Sequence, residues 1–387
     1  MVNTMAVNKD ESRSFFTKEH LLFRRSFREF LDNEAVPHYH QWEKEGEIPR
    51  SFRKKMGDNG FLSPWLDVEF GGSGADFAYS VVVAEELERI RSGLAGIFID
   101  SDVVARYIAS FGTIDQKHRF LPGLRSGELL SAYALSEQDA CPEQTTAVKK
   151  DGYYRITGAK TFITNGYRAD LMIVACKNDF GVGLDGISLL LVDKDTPGLT
   201  MGRKLVKDGR NGLETADLFF DDAAVPLESI LGEEGKGLSY INQNSQQESL
   251  MCALKSLMAA KEMYHLTKGY VKEGKTFNKN ISQCPKTRST FAEIATDIQV
   301  GSTLVDDLIC KHMDGENIIT QVSMAEYWIT KMSKRISDRC MQVHDGYGHR
   351  SDDKIIRRHR DISVFSTRKG PTDIIKNLFA NPNELDA

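Results

Sequence analysis

The chain has no long apolar run. No stretch reaches the roughly 18–20 residues that a helix needs to span a bilayer, so a membrane-spanning protein is not expected. The opening segment, MVNTMAVNKDESRSFF, lacks the apolar core of a secretory signal, and its Asp10 and Glu11 argue against a transit peptide. A cytoplasmic protein is the expectation. Cysteine is sparse: Cys141, Cys176, Cys252, Cys284, Cys310 and Cys340 stand singly, with no C-x-x-C pair. That disfavours both a disulfide framework and a zinc site, no metal is expected, and reduced thiols are the default. A strong charge of one sign is also missing. A net charge of −5 over 387 residues gives no basis for general nucleic-acid binding. No low-complexity segment and no fixed-period repeat occurs, which sets aside solenoids.

What remains is an ordinary globular composition, 41% apolar and 27% charged. The length suggests two or three subdomains rather than one core. From Thr17 to about residue 130 the period is helical. TKEHLLFRRSFREFLDNEAV places Leu21, Leu22, Phe23, Phe27, Phe30 and Leu31 near one stripe, and Thr17 with Glu19 and His20 behind it makes a cap. FAYSVVVAEELERI reads as a helix facing inward through Val81, Val82, Ala84 and Leu87. From about residue 131 short β-branched runs take over: YRITGAKTFITNG, LMIVAC, ISLLLVD, LTMGRKL and ADLFFDDAAVP. They predict an antiparallel sheet domain. After LGEEGKGLSY long helices return and predict a bundle. The expected class is α+β: an N-terminal helical domain over 1–131, a middle antiparallel β domain over 132–238 and a C-terminal four-helix bundle over 239–387.

This layout and its local wording resemble the acyl-CoA dehydrogenase family over nearly the whole chain. The resemblance rests on FGGSGAD…AEELERI, FGTIDQKHRFLPGLRSGELLSAYALSEQDA, ITGAKTFITNG and LFFDDAAVPLESILGEEGKG, in that order. It implies a flavoprotein oxidoreductase that takes an acyl thioester to its α,β-unsaturated product, with FAD in a cleft between the β domain and the C-terminal bundle. Such chemistry needs a base within reach of the α-proton, donors at the enolate-like oxygen and exclusion of water.

Residue by residue, the resemblance implies that Tyr133, Leu135 and Ser136 meet the flavin edge. Phe162 flanks the ring and Thr164 hydrogen-bonds it. Lys275 and Phe277 stand in the segment that reaches FAD across a dimer, although the family's arginine there is Gly274. Gln342 and Gly346 belong to a Q-x-x-G-G-x-G turn at the pyrophosphate, in which one glycine is replaced by Asp345. A carboxylate there is electrostatically unfavourable and its Cβ hinders backbone approach. The phosphate-contacting serine is replaced by Pro142. The usual catalytic glutamate is replaced by Lys369, ordinarily a cation and a second candidate catalytic residue, since a cation there would favour an enolate or a reduced, anionic flavin. A backbone N–H at that turn can still serve the thioester oxygen.

The isovaleryl- and long-chain-type branches carry the base on the first long C-terminal helix instead. That position is Glu248 in NSQQESLM, away from the Leu250, Leu254 and Leu257 stripe and on the side of Ser245 and Cys252. Glu248 is therefore the candidate base, set against a solvated helix glutamate. His344 and His349 flank the altered turn, and KIIRRHRD reads as a basic, solvated face. The substrate would be an acyl-CoA or an acyl group on an acyl carrier protein in a biosynthetic pathway. An electron-transfer flavoprotein or oxygen would be the acceptor, and the assembly a homodimer or homotetramer. Two other readings remain open at this level: flavin-independent acid–base chemistry on a thioester, such as dehydration or isomerisation, and a catalytically degenerate subunit.

Overall fold

The structure, a computed structural model, describes residues 13–90, 94, 96–137, 145–178, 186–210, 212–273, 284–350 and 354–365. They divide into two compact units, each taken here by itself.

One unit, residues 13–35, 76–90 and 249–365, is helical. Helix α1 (Lys18–Glu34) begins at a reciprocal cap: the Thr17 hydroxyl accepts from the His20 amide, and the His20 ring accepts from the Thr17 amide at 3.0 Å. Its buried face is the expected apolar stripe only in part. His20, Arg24, Phe27 and Leu31 point inward, and Leu22 is 55% exposed. The reason lies in α4 (Phe77–Ile90), which buries Glu85, Glu86 and Glu88 alongside its valines. Buried carboxylates need cationic partners. Arg24 and Arg13 take Glu85, Arg28 forks onto Glu86 at 2.7 and 2.9 Å, and Arg358 reaches Glu88 at 3.0 Å and Glu262 at 2.8 Å. The basic run KIIRRHRD is thus no uniformly solvated face, since Arg358 is fully buried. The part of α8 (Gly237–Glu273) from Ser249 onward joins α9 (Pro285–Met313), α10 (Ile319–His344) and α11 (Lys354–Phe365). Leu250, Leu254 and Leu257 are fully buried, as the sequence period required.

The other unit, residues 36–75, 94–248, holds the sheet. Short helices α2 (Tyr39–Glu45) and α3 (Arg50–Asp58) lead to α5 (Gly96–Phe98). A π-helical stretch, Ile99–Val104, runs on into α6 (Ala105–Phe111), and α7 (Ile114–Ser126) follows. The strands are β1 (Ser131–Ala134), β2 (Thr146–Lys150), β3 (Tyr153–Thr164), β4 (Leu171–Asn178), β5 (Ile187–Asp193), β6 (Leu199–Met201) and β7 (Thr215–Pro226). They form one seven-stranded sheet in the order β1-β4-β2-β3-β7-β6, with β5 also on β4.

A wholly antiparallel sheet does not form, because β1 and β2 run parallel to β4. The physical reason is burial on both faces of β4. Leu171, Ile173 and Ala175 pack with Val103, Tyr107, Ile108 and Leu121 of the helices, while Met172, Val174 and Cys176 join Ile156, Leu218 and Val225. The run LTMGRKL is a strand only over Leu199–Met201, with Gly202 and Leu205 donating further to β7, and β1, unflagged by its short sequence, supplies an edge.

Candidate active site

The π-helical stretch adds a residue to each turn, a local device common at functional positions. Asp100, within it, is buried and accepts from the Ser131 amide at 2.6 Å and the Ser131 hydroxyl at 2.8 Å, and it pairs with Arg53 of α3. Asn165 donates to the Ser131 carbonyl at 2.9 Å. This clamp fixes α6 against β1. Two residues along β1, Tyr133 meets Tyr107 of α6, their ring centroids 5.0 Å apart and their hydroxyls hydrogen-bonded. Tyr107, with no exposed surface, donates its hydroxyl to Oε1 of Glu248 at 3.4 Å. Glu248 is 8% exposed on α8. A solvated helix glutamate is thereby ruled out. The carboxylate is buried where α6, β1 and α8 converge.

The second cluster frames an exposed aromatic. Lys160 on β3 and Glu137 form an ion pair at 2.6 Å, their side chains 0% and 1% exposed. Lys160 also donates to the Leu135 carbonyl at 3.3 Å, and Glu137 accepts from the Thr145 amide at 3.1 Å. The Thr161 amide donates to the Ser136 carbonyl at 2.9 Å, and the Ser136 hydroxyl returns a bond to the Thr161 carbonyl at 2.8 Å. The hydroxyl proton of Ser136 is therefore committed inside the sheet, and toward a ligand this oxygen can accept. Two residues beyond Lys160 the β3–β7 register shifts. Phe162 sits in that bulge with φ 56° and 71% of its surface exposed, its amide donating to Asp217 at 3.0 Å. Positive φ is costly for a bulky side chain, and here it holds an aromatic face outward. Thr164 follows, paired with Thr215 across the sheet. Lys207, which no sequence signal marked, donates to Thr215 Oγ1 at 2.6 Å and to the Leu213 carbonyl. Burial, helped by Arg210, pushes its ammonium down to about 8.

In the helical unit, Gln342 is exposed on α10, and Gly346 lies in the tight turn Asp345–His349. Asp345 has φ 49° and ψ −141°, a region that glycine favours. The turn thus keeps a glycine-like backbone with an aspartate in it. His344 is buried and stacks on Tyr270 with centroids 4.1 Å apart, and His349 is exposed. Lys275, Phe277, Pro142 and Lys369 lie outside the described residues. The structure therefore brings together Tyr133 and Glu248, and separately Leu135, Ser136 and the Phe162–Thr164 segment. Sequence reasoning missed Tyr107 altogether. It lies 26 residues from Tyr133 and 141 from Glu248, and a buried tyrosine in an apolar helix carries no distinguishing pattern. Among the described residues no group of His, Cys, Asp and Glu is arranged to hold a metal ion, and no helix is long and apolar enough to cross a membrane.

Three family profiles match in series: the acyl-CoA dehydrogenase N-terminal domain at residues 17–128, the middle domain at 132–223 and the C-terminal domain at 235–381. The chain is 34% identical over 374 residues to the mitochondrial long-chain specific acyl-CoA dehydrogenase of Mus musculus, covering 95% of this chain and 87% of that one. It is 30% identical over 367 residues to the caffeyl-CoA reductase-Etf complex subunit CarC of Acetobacterium woodii, covering 93% and 97%. The crystal structure of an acyl-CoA dehydrogenase from Geobacillus kaustophilus superimposes with a TM-score of 0.93 at 49% identity, covering 97% of this chain and all of that one.

Proposed function

The chain belongs to the acyl-CoA dehydrogenase family, flavoproteins that act on acyl thioesters, and on that premise we propose that it oxidises the Cα–Cβ bond of an acyl-CoA with Glu248 as the base. The observation that carries this is the burial of Glu248 beside a hydroxyl donor. A carboxylate kept from bulk water is a stronger base toward a weakly acidic C–H, and the hydroxyl donor fixes where it points.

The residues on the sheet fit a flavin. Phe162 offers a fixed, outward aromatic face, and Ser136 an acceptor oxygen, with Leu135 and Thr164 in the same two segments; Tyr133 is assigned to the flavin edge by the family pattern. Gln342 and Gly346 are assigned to the cofactor's nucleotide part by the family pattern alone. Lys275 and Phe277 are assigned to the cofactor, and Lys369 to the thioester, by the family pattern alone. FAD, when bound, supplies the acceptor for the β-hydride. Glu248 takes the α-proton. Buried Tyr107 and the partly buried Tyr133, Phe98, Ile99 and Phe111 packed with it would help keep water from the reacting carbon. The relationship to a subunit of a reductase–Etf complex supports an electron-transfer flavoprotein as the redox partner.

Purified protein should be yellow, with flavin absorbance near ~450 nm, and an acyl-CoA added without oxygen should bleach it. Glu248→Gln should stay yellow and bleach at least ~100-fold more slowly. Protein that is colourless and takes up no added FAD would overturn the dehydrogenase reading, and bleaching at the wild-type rate in Glu248→Gln would overturn the base.

A further inference from the structure

We propose that Tyr107 and Tyr133 are positioning residues for Glu248, a two-hydroxyl strut that keeps its carboxylate aimed. This rests on Glu248 being the base. The direction of the strut follows from chemistry. An ionised carboxylate only accepts hydrogen bonds. Tyr107 must therefore spend its single proton on Glu248 Oε1, 3.4 Å away, and can take part with Tyr133 only as the acceptor. The proton order is fixed as Tyr133 to Tyr107 to Glu248. Each donor polarises the next, which strengthens the bond that reaches the carboxylate.

The supports of this strut are rigid. Tyr107 is completely buried in α6, its ring held against Tyr133 at 5.0 Å and Phe111 at 6.1 Å. Phe111 stacks in turn on Tyr240 of α8 at 4.1 Å, on the same helix as Glu248 and two turns before it. The helix that carries the base is thus tied to α6 twice, once by aromatic stacking and once by the hydroxyl bond. Tyr133 is held through the Ser131 and Asp100 clamp at the head of its strand. A base on a long helix has many rotamers to lose before it reaches a substrate carbon, and a fixed donor removes part of that cost in advance.

The test uses the holoenzyme with hexanoyl-, dodecanoyl- and palmitoyl-CoA, anaerobically in D2O, reading deuterium incorporation at the thioester α-carbon by mass spectrometry. Incorporation reports proton abstraction without net oxidation. Steady-state kcat and KM are measured in parallel. Tyr107→Phe is expected to slow α-exchange and kcat together by roughly tenfold, with KM within about twofold and the flavin spectrum unchanged. Tyr133→Phe should act in the same direction and more weakly. If Glu248→Gln abolishes exchange while Tyr107→Phe exchanges at the wild-type rate, the base stands and the strut is wrong. Should Glu248→Gln itself exchange normally, both assignments fall. A Tyr107→Phe effect confined to KM would also overturn the strut, since a loosened pocket and not a misaimed base would then be at fault. Where Tyr107→Phe does not fold, Tyr133→Phe decides by α-exchange and kcat measured at matched flavin content: a joint drop supports the strut, and exchange at the wild-type rate overturns it.

Discussion

Lys160 and Glu137 face each other across 2.6 Å with both side chains closed to solvent, and between them they hold the Leu135–Ser136 turn to the strand that carries Phe162. Removing one partner leaves an uncompensated buried charge. Lys160→Met should lower stability by about 3–5 kcal/mol and reduce flavin content. The double change Lys160→Met with Glu137→Leu should recover most of the stability. Urea unfolding of the single and double variants checks this, and equal losses in both would show that the two groups are uncoupled.

Asp345 occupies a backbone region suited to glycine, with φ 49° and ψ −141°. Relief of strain of about 1–3 kcal/mol outweighs the entropy that glycine costs, about 0.5–1 kcal/mol. Asp345→Gly should therefore raise stability by roughly 1 kcal/mol and also tighten FAD binding, because a negative charge leaves the turn assigned to the nucleotide. Thermal melting and flavin titration measure the two effects separately.

Lys207 gives a pH dependence of defined sign. Its ammonium is held at about 8 in the folded chain against 10.5 for an ordinary lysine. Between those values the unfolded chain binds more protons, so this group makes stability rise with pH. Below about 8 its burial penalty is constant. In denaturant titrations from pH 7 to 10, the stability of the wild type relative to Lys207→Met should be flat at first and then climb. A flat difference across the whole range would contradict the burial of the charge.

The thiols should react in a fixed order. Cys284 is exposed, and the Thr287 and Lys286 amides lower its pKa. Burial pushes Cys176 up to about 12 and Cys340 up to about 11. Limited alkylation of native protein near pH 7.5 should label Cys284 first among the described cysteines, with Cys176 and Cys340 protected until unfolding. Peptide mapping reads this directly.

The helical stretches and most strands were legible because their signals are local: the period of α8, the alternation in β3, the Thr17 cap. The direction of β1 relative to β4 was not, since parallel pairing depends on which faces are covered and not on the strand itself. Charge misled in α1 and α4, where hydropathy assigns arginine and glutamate to the surface although each is matched inside. At the candidate site, family wording singled out Glu248 and Tyr133. Their link through Tyr107 comes from the convergence of α6, β1 and α8, which no spacing in the chain encodes.

The acidic inner face of α4 has a consequence for how its unit can assemble. Oily surfaces slide past one another at small cost, whereas Glu85 and Glu86 meet Arg24 and Arg28 of α1 and Glu88 meets Arg358 of α11. Shifting this helix by a single turn would break all of these links to α1 and α11 at once. The segment therefore works like the bitting of a key, accepting one docked register and rejecting its neighbours.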